Sequence, residues 1–203
     1  MHNNNSSKDP EVQFTHDLLK EYSSSRENWA KQAVEDNEFR NGKQWTKEQA
    51  DTLRNKAQEP IVVNVIFSAV EQAKAMLAAN KPRFQSTARE TSDTEVGRLF
   101  SDLMSYVWDN SNGNVELKQA IDDYYVKGMG VMMAYTDPDK DFGRGGVCLK
   151  SIDPLEVYFD PSSKDPFARD CGHIIVAKLM SQNQLIQNFP EFEQEILNVQ
   201  ETN

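Results

Sequence analysis

Asp137, Asp139 and Asp141 alternate as the first ligands of a calcium loop do, three carboxylates at every second position. That chemistry needs a glycine next and a bidentate glutamate at the twelfth position. Phe142 and Cys148 stand there instead, so the triad reads as a solvated turn and no metal ligand is assigned. Two glycine clusters, Gly128-x-Gly130 and Gly143-x-Gly145-Gly146, have phosphate-loop spacing. A phosphate cradle leads from a strand into a helix N-terminus, where free N–H groups converge. The first cluster falls where a helix pattern runs into a strand pattern, and the second lies between two strand patterns without a following Lys-Ser/Thr pair. Both read as turn glycines, and no cofactor is expected.

Acid–base chemistry has little to draw on. The histidines are His2, His16 and His173, with no second histidine or serine elbow beside any of them, and no HExxH or GxSxG occurs. Asp153, Glu156 and Asp160 gather around one strand pattern, where acids are commonly edge or turn residues. A hydrolase with a site dispersed over Asp153 and Asp160 is the weakest of three readings, because a nucleophile–base pair is what such chemistry requires. No catalytic residue is assigned. The aromatics Trp29, Trp45, Trp108, Tyr124 and Tyr125 could stack on bases, but Asp109 follows Trp108 and Asp122-Asp123 precede Tyr124. Base-stacking sites interleave cations, so packing is the expected use. Cys148 and Cys171 are far apart and read as small buried apolar residues.

The elements that position these residues follow from periodicity. Asp9-Pro10 is a helix start, and Phe14, Leu18, Tyr22, Trp29 and Ala33 recur mostly at steps of three and four. Asn41-Gly42 ends that helix. Thr46 with Gln49 is a capping box for a second helix, and Pro60 closes the arm. Ile61–Val63 is an extended lead-in. Asn64 caps a helix through Ile66, Val70, Ala73 and Leu77, stopped by Asn80 and Pro82. Arg83–Arg89 is expected as a strand. Ser92 with Glu95 opens a helix whose Val96, Leu99, Phe100, Leu103 and Val107 should form an intramolecular core, ended by Gly113. Asn114 begins the next helix, with Leu117 and Ile121 on its stripe. Val131–Tyr135 and Val147–Ile152 read as a hairpin with a long loop, Leu155–Phe159 and His173–Leu179 as further strands. Ser181 caps a last helix interrupted at Pro190. The fold class is α+β: a helix-rich N-terminal arm over 9–59, then helices and a mainly antiparallel sheet over 60–203. Residues 1–8 are expected to be a disordered polar leader, without the apolar stretch of a secretory signal.

Composition bounds the function. In 203 residues, 22 Lys+Arg face 32 Asp+Glu, a net charge of −10. Such a chain lacks the general basic surface that grips DNA or anionic membrane. No stretch reaches the roughly 18 uncharged apolar residues of a membrane span.

One ordered set of motifs is informative. Trp29 lies in a helix running into Phe39-Arg40-Asn41-Gly42-Lys43-Gln44-Trp45. Pro60 to Asn64 follows, then Asn80-Lys81-Pro82-Arg83-Phe84. Gly128-Met129-Gly130-Val131 precedes a strand, and Asp153-Pro154 and Phe159-Asp160-Pro161 lead to Ala168-Arg169-Asp170-Cys171. Over roughly residues 26–190 this order resembles the N-terminal, wing-forming region of podovirus-type portal proteins of tailed bacteriophages. The resemblance implies a homo-oligomeric ring, normally a dodecamer, at a capsid vertex of the virion. DNA is packaged through it by the terminase motor and later ejected towards tail adaptor proteins, without sequence-specific binding. It also implies a longer chain, no membrane and assembly in the host cytoplasm. Gly42, Gly128, Pro82, Pro154 and Trp45 would be structural. The alternative is an unrelated α+β adaptor or scaffold-binding module sharing only the element order.

Overall fold

The computed structural model of the chain describes residues 10–79, 82–88 and 93–198. Five helices come first: α1 (Pro10–Arg40), α2 (Lys47–Asn55), α3 (Val65–Ala78), α4 (Thr94–Asn110) and α5 (Gly113–Lys127). Strands β1 (Val131–Asp137) and β2 (Gly146–Ile152) follow. After a 3-10 turn at Pro154–Glu156 come β3 (Val157–Phe159) and β4 (Ile174–Val176), then helices α6 (Gln182–Asn188) and α7 (Glu193–Asn198). The class is α+β.

Helix α5 is the hub, with α1, α3, α4, β1 and β2 all packed on it. The buried side chains that close this arrangement include Ala33 of α1, Val70 of α3, Trp108 of α4, and Ala120 and Val126 of α5. Strands β1 and β2 are antiparallel, from Val131 opposite Ile152 to Asp137 opposite Gly146. The outer edge of β2 is closed by side chains. The Leu149 N–H donates to Ser111 Oγ at 3.0 Å, and the Ser151 N–H donates to Glu116 at 2.6 Å. Strands β3 and β4 form a separate antiparallel pair. Among the described residues, the mainly antiparallel sheet is therefore two two-stranded sheets.

Several local expectations hold for stated reasons. Thr46 and Gln49 exchange both capping-box bonds, as do Ser181 and Gln184. Asn64 caps α3 by accepting from the Phe67 N–H at 3.0 Å, and it also donates to Arg40 O at 2.8 Å. One side chain thus joins the end of α1 to the start of α3. Trp45 Nε1 donates to Ile61 O at 3.2 Å, so the widely spaced motifs around Trp45 and Asn64 close on each other.

Other expectations are corrected. Residues 82–88 form no strand with any other described segment, and one of their donors goes to a helix side chain instead: the Ser86 N–H donates to Ser101 Oγ of α4 at 2.9 Å. Gly113 opens α5 instead of ending α4, since Trp108 lies flat over it, and a Cβ there would sit 2.4 Å from the indole. The third and fourth strands shrink to three residues each, with Leu155 in the 3-10 turn and His173 ahead of β4. Cys148 is buried, whereas Cys171 is only partly so. The expected leader, Asp9, Asn80, Arg89 and Ser92 lie outside the described residues.

Candidate functional site

Asp137, Asp153 and Asp160, singled out by sequence, are fasteners of turns and loops, and Asp170 joins them. The Asp139 N–H donates to Asp137 in the β1–β2 loop, and among the described residues no three His, Cys, Asp or Glu side chains gather as a metal site. Asp153 caps the 3-10 turn through the Leu155 N–H at 2.9 Å. Asp160 accepts from the Ser162 N–H at 2.8 Å and the Gly172 N–H at 3.3 Å. Asp170 accepts from the Ser163 hydroxyl at 2.5 Å and the Lys164 N–H at 2.8 Å. These donors, Ser162 foremost for Asp160 and Ser163 for Asp170, hold both carboxyls below the ordinary aspartate range. A carboxylate kept ionised this way is a poor proton donor near neutrality. Both acids pin the loop between β3 and β4.

The histidines stand apart. His16 is exposed, 3.8 Å from Asp17, and His173 meets Phe14 edge-on with ring centroids 6.0 Å apart. Gly128, with φ of +79°, turns α5 into β1, the reverse of a phosphate-binding polarity. Trp108 is buried against Phe84, while Tyr124 and Tyr125 are exposed and pack edge-on to each other.

A cleft of about 650 Å³ lies between α1, the start of β1, β3 and the 160–168 loop. Trp29, Met132, Val157, Phe159 and Phe167 make it mainly apolar. Its two hydroxyls are engaged, Ser25 donating to Tyr22 O at 2.9 Å and Ser163 to Asp170. Its cation is engaged too. The Arg26 guanidinium donates to the carbonyls of Pro154, Leu155 and Val157 and packs over the Tyr158 ring at 4.1 Å and the Trp29 ring at 4.9 Å. Burial lowers its pKa, opposed by Tyr158 and Asp153, and the group stays charged. Replacing it with lysine should destabilise the fold by about 1–2 kcal/mol, since a compact ammonium lacks the planar fork that spans these carbonyls while packing on both rings. Amide exchange should quicken in β3 before α5; an unchanged β3 would refute this role.

Sequence periodicity missed the charged interior. Arg40 sits 2.8 Å from both Glu71 and Asp122, and Lys74 lies 2.5 Å from Glu71 and 3.0 Å from Asp122. This network ties α1, α3 and α5 together. Burial alone would raise the Asp122 pKa, but hydrogen bonds from Arg40 and Lys74 win and lower it. A second set places Lys127 between Asp123 at 3.0 Å and Asp153 at 2.9 Å, with Lys127 and Asp123 both buried. The Lys127 backbone carbonyl accepts from Trp29 Nε1 at 3.1 Å. Arg40 was legible only as a cation at a helix end; its partners lie 31 and 82 residues away.

The surface shows the converse. Helix α4 turns Gly97, Ser101 and Trp108 inward, while Val96, Leu99, Phe100, Leu103 and Tyr106 are exposed. The expectation of an intramolecular core for that stripe is corrected. Small residues face inward because segment 82–88 lies close: a Cβ on Gly97 would come within 3.3 Å of Ser86 O. Helix α3 is similar, exposing Val65, Ile66, Met76 and Leu77 while its only charges, Glu71 and Lys74, point inward. No described helix is long and apolar enough to cross a membrane. Exposed apolar faces on this scale are the mark of contact surfaces.

A family model described as "Phage P22-like portal protein" matches residues 16–203. A comparison with curated proteins gives no match.

Proposed function

Since this chain belongs to the phage P22-like portal protein family, we propose that it builds the ring at a capsid vertex through which viral DNA is packaged and later ejected. Membership implies ring assembly with other phage proteins. The reading is carried by the family match over residues 16–203, and the outward apolar helices fit a subunit whose surfaces are covered by neighbours. In this reading the ring is a dodecamer that meets capsid, terminase and tail adaptor proteins, resides in the virion and is assembled in the host cytoplasm. The chain performs no catalysis; the terminase supplies the motor chemistry. The arm and the α+β region that follows form the wing.

A conduit for a polyanion works best when it does not hold its cargo. Each Lys–phosphate contact adds affinity through counterion release. A chain with net charge −10 contributes repulsion instead and keeps the duplex free to move. The test is purification followed by mass measurement and negative-stain microscopy. Closed rings of high copy number are expected, with no tight DNA retention at low salt. A lone protomer under all conditions would overturn the portal assignment, and tight retention at low salt would overturn the repulsive conduit.

A further inference from the structure

Two Asn-Gly pairs occur in the chain, Asn41-Gly42 and Asn112-Gly113. This dipeptide carries chemistry of its own. A glycine amide nitrogen, with no Cβ in the way, can attack the side-chain carbonyl carbon of the asparagine before it. The bond from that nitrogen to Cγ forms, the C–N bond of the side-chain amide breaks, and ammonia leaves with the glycine proton. The succinimide ring then takes up a water, which opens it at either carbonyl to give aspartate or isoaspartate. The net change is hydrolysis of an amide, with water as the only co-reactant.

Both asparagines are exposed, so exposure does not separate the two pairs. Their glycines do. Gly42 is the left-handed residue after α1, with φ of +84°, and forms a Schellman end: the Gly42 N–H donates to Phe39 O at 3.0 Å and the Lys43 N–H to Glu38 O at 2.9 Å. A Cβ on Gly42 would meet only Asn64 Nδ2, at an ordinary 3.5 Å. A cleft of about 670 Å³ between the end of α1 and α2 runs past it, so water reaches this peptide. Turning the 41–42 peptide onto the Asn41 side chain breaks the bonds of one helix end, the class of opening that costs least in a folded protein.

Gly113 is held differently. It is buried under Trp108, and a Cβ there would sit 2.4 Å from the indole. Asn112 O accepts from the Val115 N–H at 2.7 Å and the Glu116 N–H at 3.3 Å, which starts α5. Ser111 is buried as well and closes the edge of β2 through the Leu149 N–H. Turning the 112–113 peptide would unseat Trp108 and the first turn of the hub helix, an opening close to global unfolding.

We propose that Asn41 is a site of spontaneous covalent modification, converting to aspartate and isoaspartate in the folded chain, while Trp108 and the start of α5 keep Asn112 inert. The place makes the change consequential. Isoaspartate routes the main chain through the former side chain and lengthens it by a methylene, so the Gly42 and Lys43 N–H groups lose their alignment with Phe39 O and Glu38 O. Either product also sets a carboxylate at the C-terminal end of α1, the wrong sign for the helix dipole. Arg40 O, one residue earlier, accepts the Asn64 bond that joins α1 to α3. Ageing of Asn41 therefore loosens that join.

The test ages the folded chain at neutral pH and maps its peptides by mass spectrometry, with an isoaspartyl methyltransferase reporting the isomer. A parallel sample is held unfolded in guanidinium chloride. In the folded chain, conversion at Asn41 should exceed that at Asn112 by roughly tenfold or more, and in the unfolded chain the two should be comparable. Comparable conversion in the folded chain, a lead for Asn112, or an inert Asn41 while the unfolded sample reacts would overturn the proposal. A preference equally strong in the unfolded chain would overturn the protection assigned to Trp108. Hydrogen exchange then compares the aged chain with aged Asn41→Gln, whose longer side chain closes the ring far more slowly. The amides of Gly42, Lys43 and Phe67, the last capped by Asn64, should exchange faster only in the unaltered chain. Equal exchange in the two would refute the loosened join.

Discussion

Replacing Lys127 with methionine is expected to destabilise the fold by about 3–5 kcal/mol, the cost of leaving a buried charge without its partner. Asp123 is only 5% exposed and has Lys127 3.0 Å away. Asp153, the other partner, has 43% of its side chain exposed and can turn to water. Asp153→Asn should therefore cost much less than Lys127→Met. Adding Asp123→Leu to Lys127→Met removes the stranded charge and should recover most of the loss, because an apolar pair often replaces a buried ion pair at little cost. Chemical denaturation of the three variants checks this ordering; a double variant no better than the single would locate the cost elsewhere.

The same side chain sets an alkaline limit. Burial by itself lowers the Lys127 pKa, but bonds to Asp153 and Asp123 outweigh it and leave the pKa raised. A base whose folded pKa exceeds its unfolded value of about 10.4 contributes fully below that value. The contribution disappears as pH rises through the folded pKa. Lys74 behaves likewise, with burial overcome by Glu71 and Asp122. Asp122 is the opposite case: its lowered pKa contributes fully above about 3.9 and is lost as pH falls through the folded value. Stability of the unaltered chain should thus decline at both ends, and Lys127→Met should flatten part of the alkaline limb while leaving the acid limb in place.

The second large effect is expected at Gly130. A Cβ there would lie 2.2 Å from Ala120 O and 3.0 Å from the same carbonyl carbon. Those atoms belong to the backbone of α5 and cannot rotate away, so β1 would have to lift from the helix. Gly130→Ala should cost about 3 kcal/mol or more. Gly128, two residues earlier, differs: its φ is +79°, yet a Cβ added there would meet nothing within 4 Å, so Gly128→Ala should cost only about 1–2 kcal/mol. Denaturation midpoints should rank Gly130→Ala well below Gly128→Ala. The reverse order would mean that backbone conformation, and not close approach, fixes the α5–β1 join.

Much of the molecule was legible in the residue order because its causes are local. Thr46 with Gln49, Ser181 with Gln184, and Asn64 ahead of α3 are caps whose donors lie within three residues. The β1–β2 hairpin follows from two β-rich runs joined by a turn-rich loop. The ordered motifs around Trp45, Asn64, Gly128 and Pro154 sufficed for the family. Helix boundaries near Gly113 were misplaced because the position of Trp108 above that glycine is a packing fact, not a propensity.

Sequence by itself determined the α+β class, most helix starts, the lack of a nucleophile–base motif and the acidic balance, since each depends on near neighbours or on sums. Only the tertiary structure decided which way the helices face. Amphipathic periodicity gives the width of an apolar stripe but not what it meets, and α4 meets its own domain through Gly97, Ser101 and Trp108 while its stripe points out. The ion networks were equally hidden. Coulombic pairing acts across space, and nothing in the order of residues indicates that Arg40 and Lys74 will converge on Asp122, or Asp123 and Asp153 on Lys127.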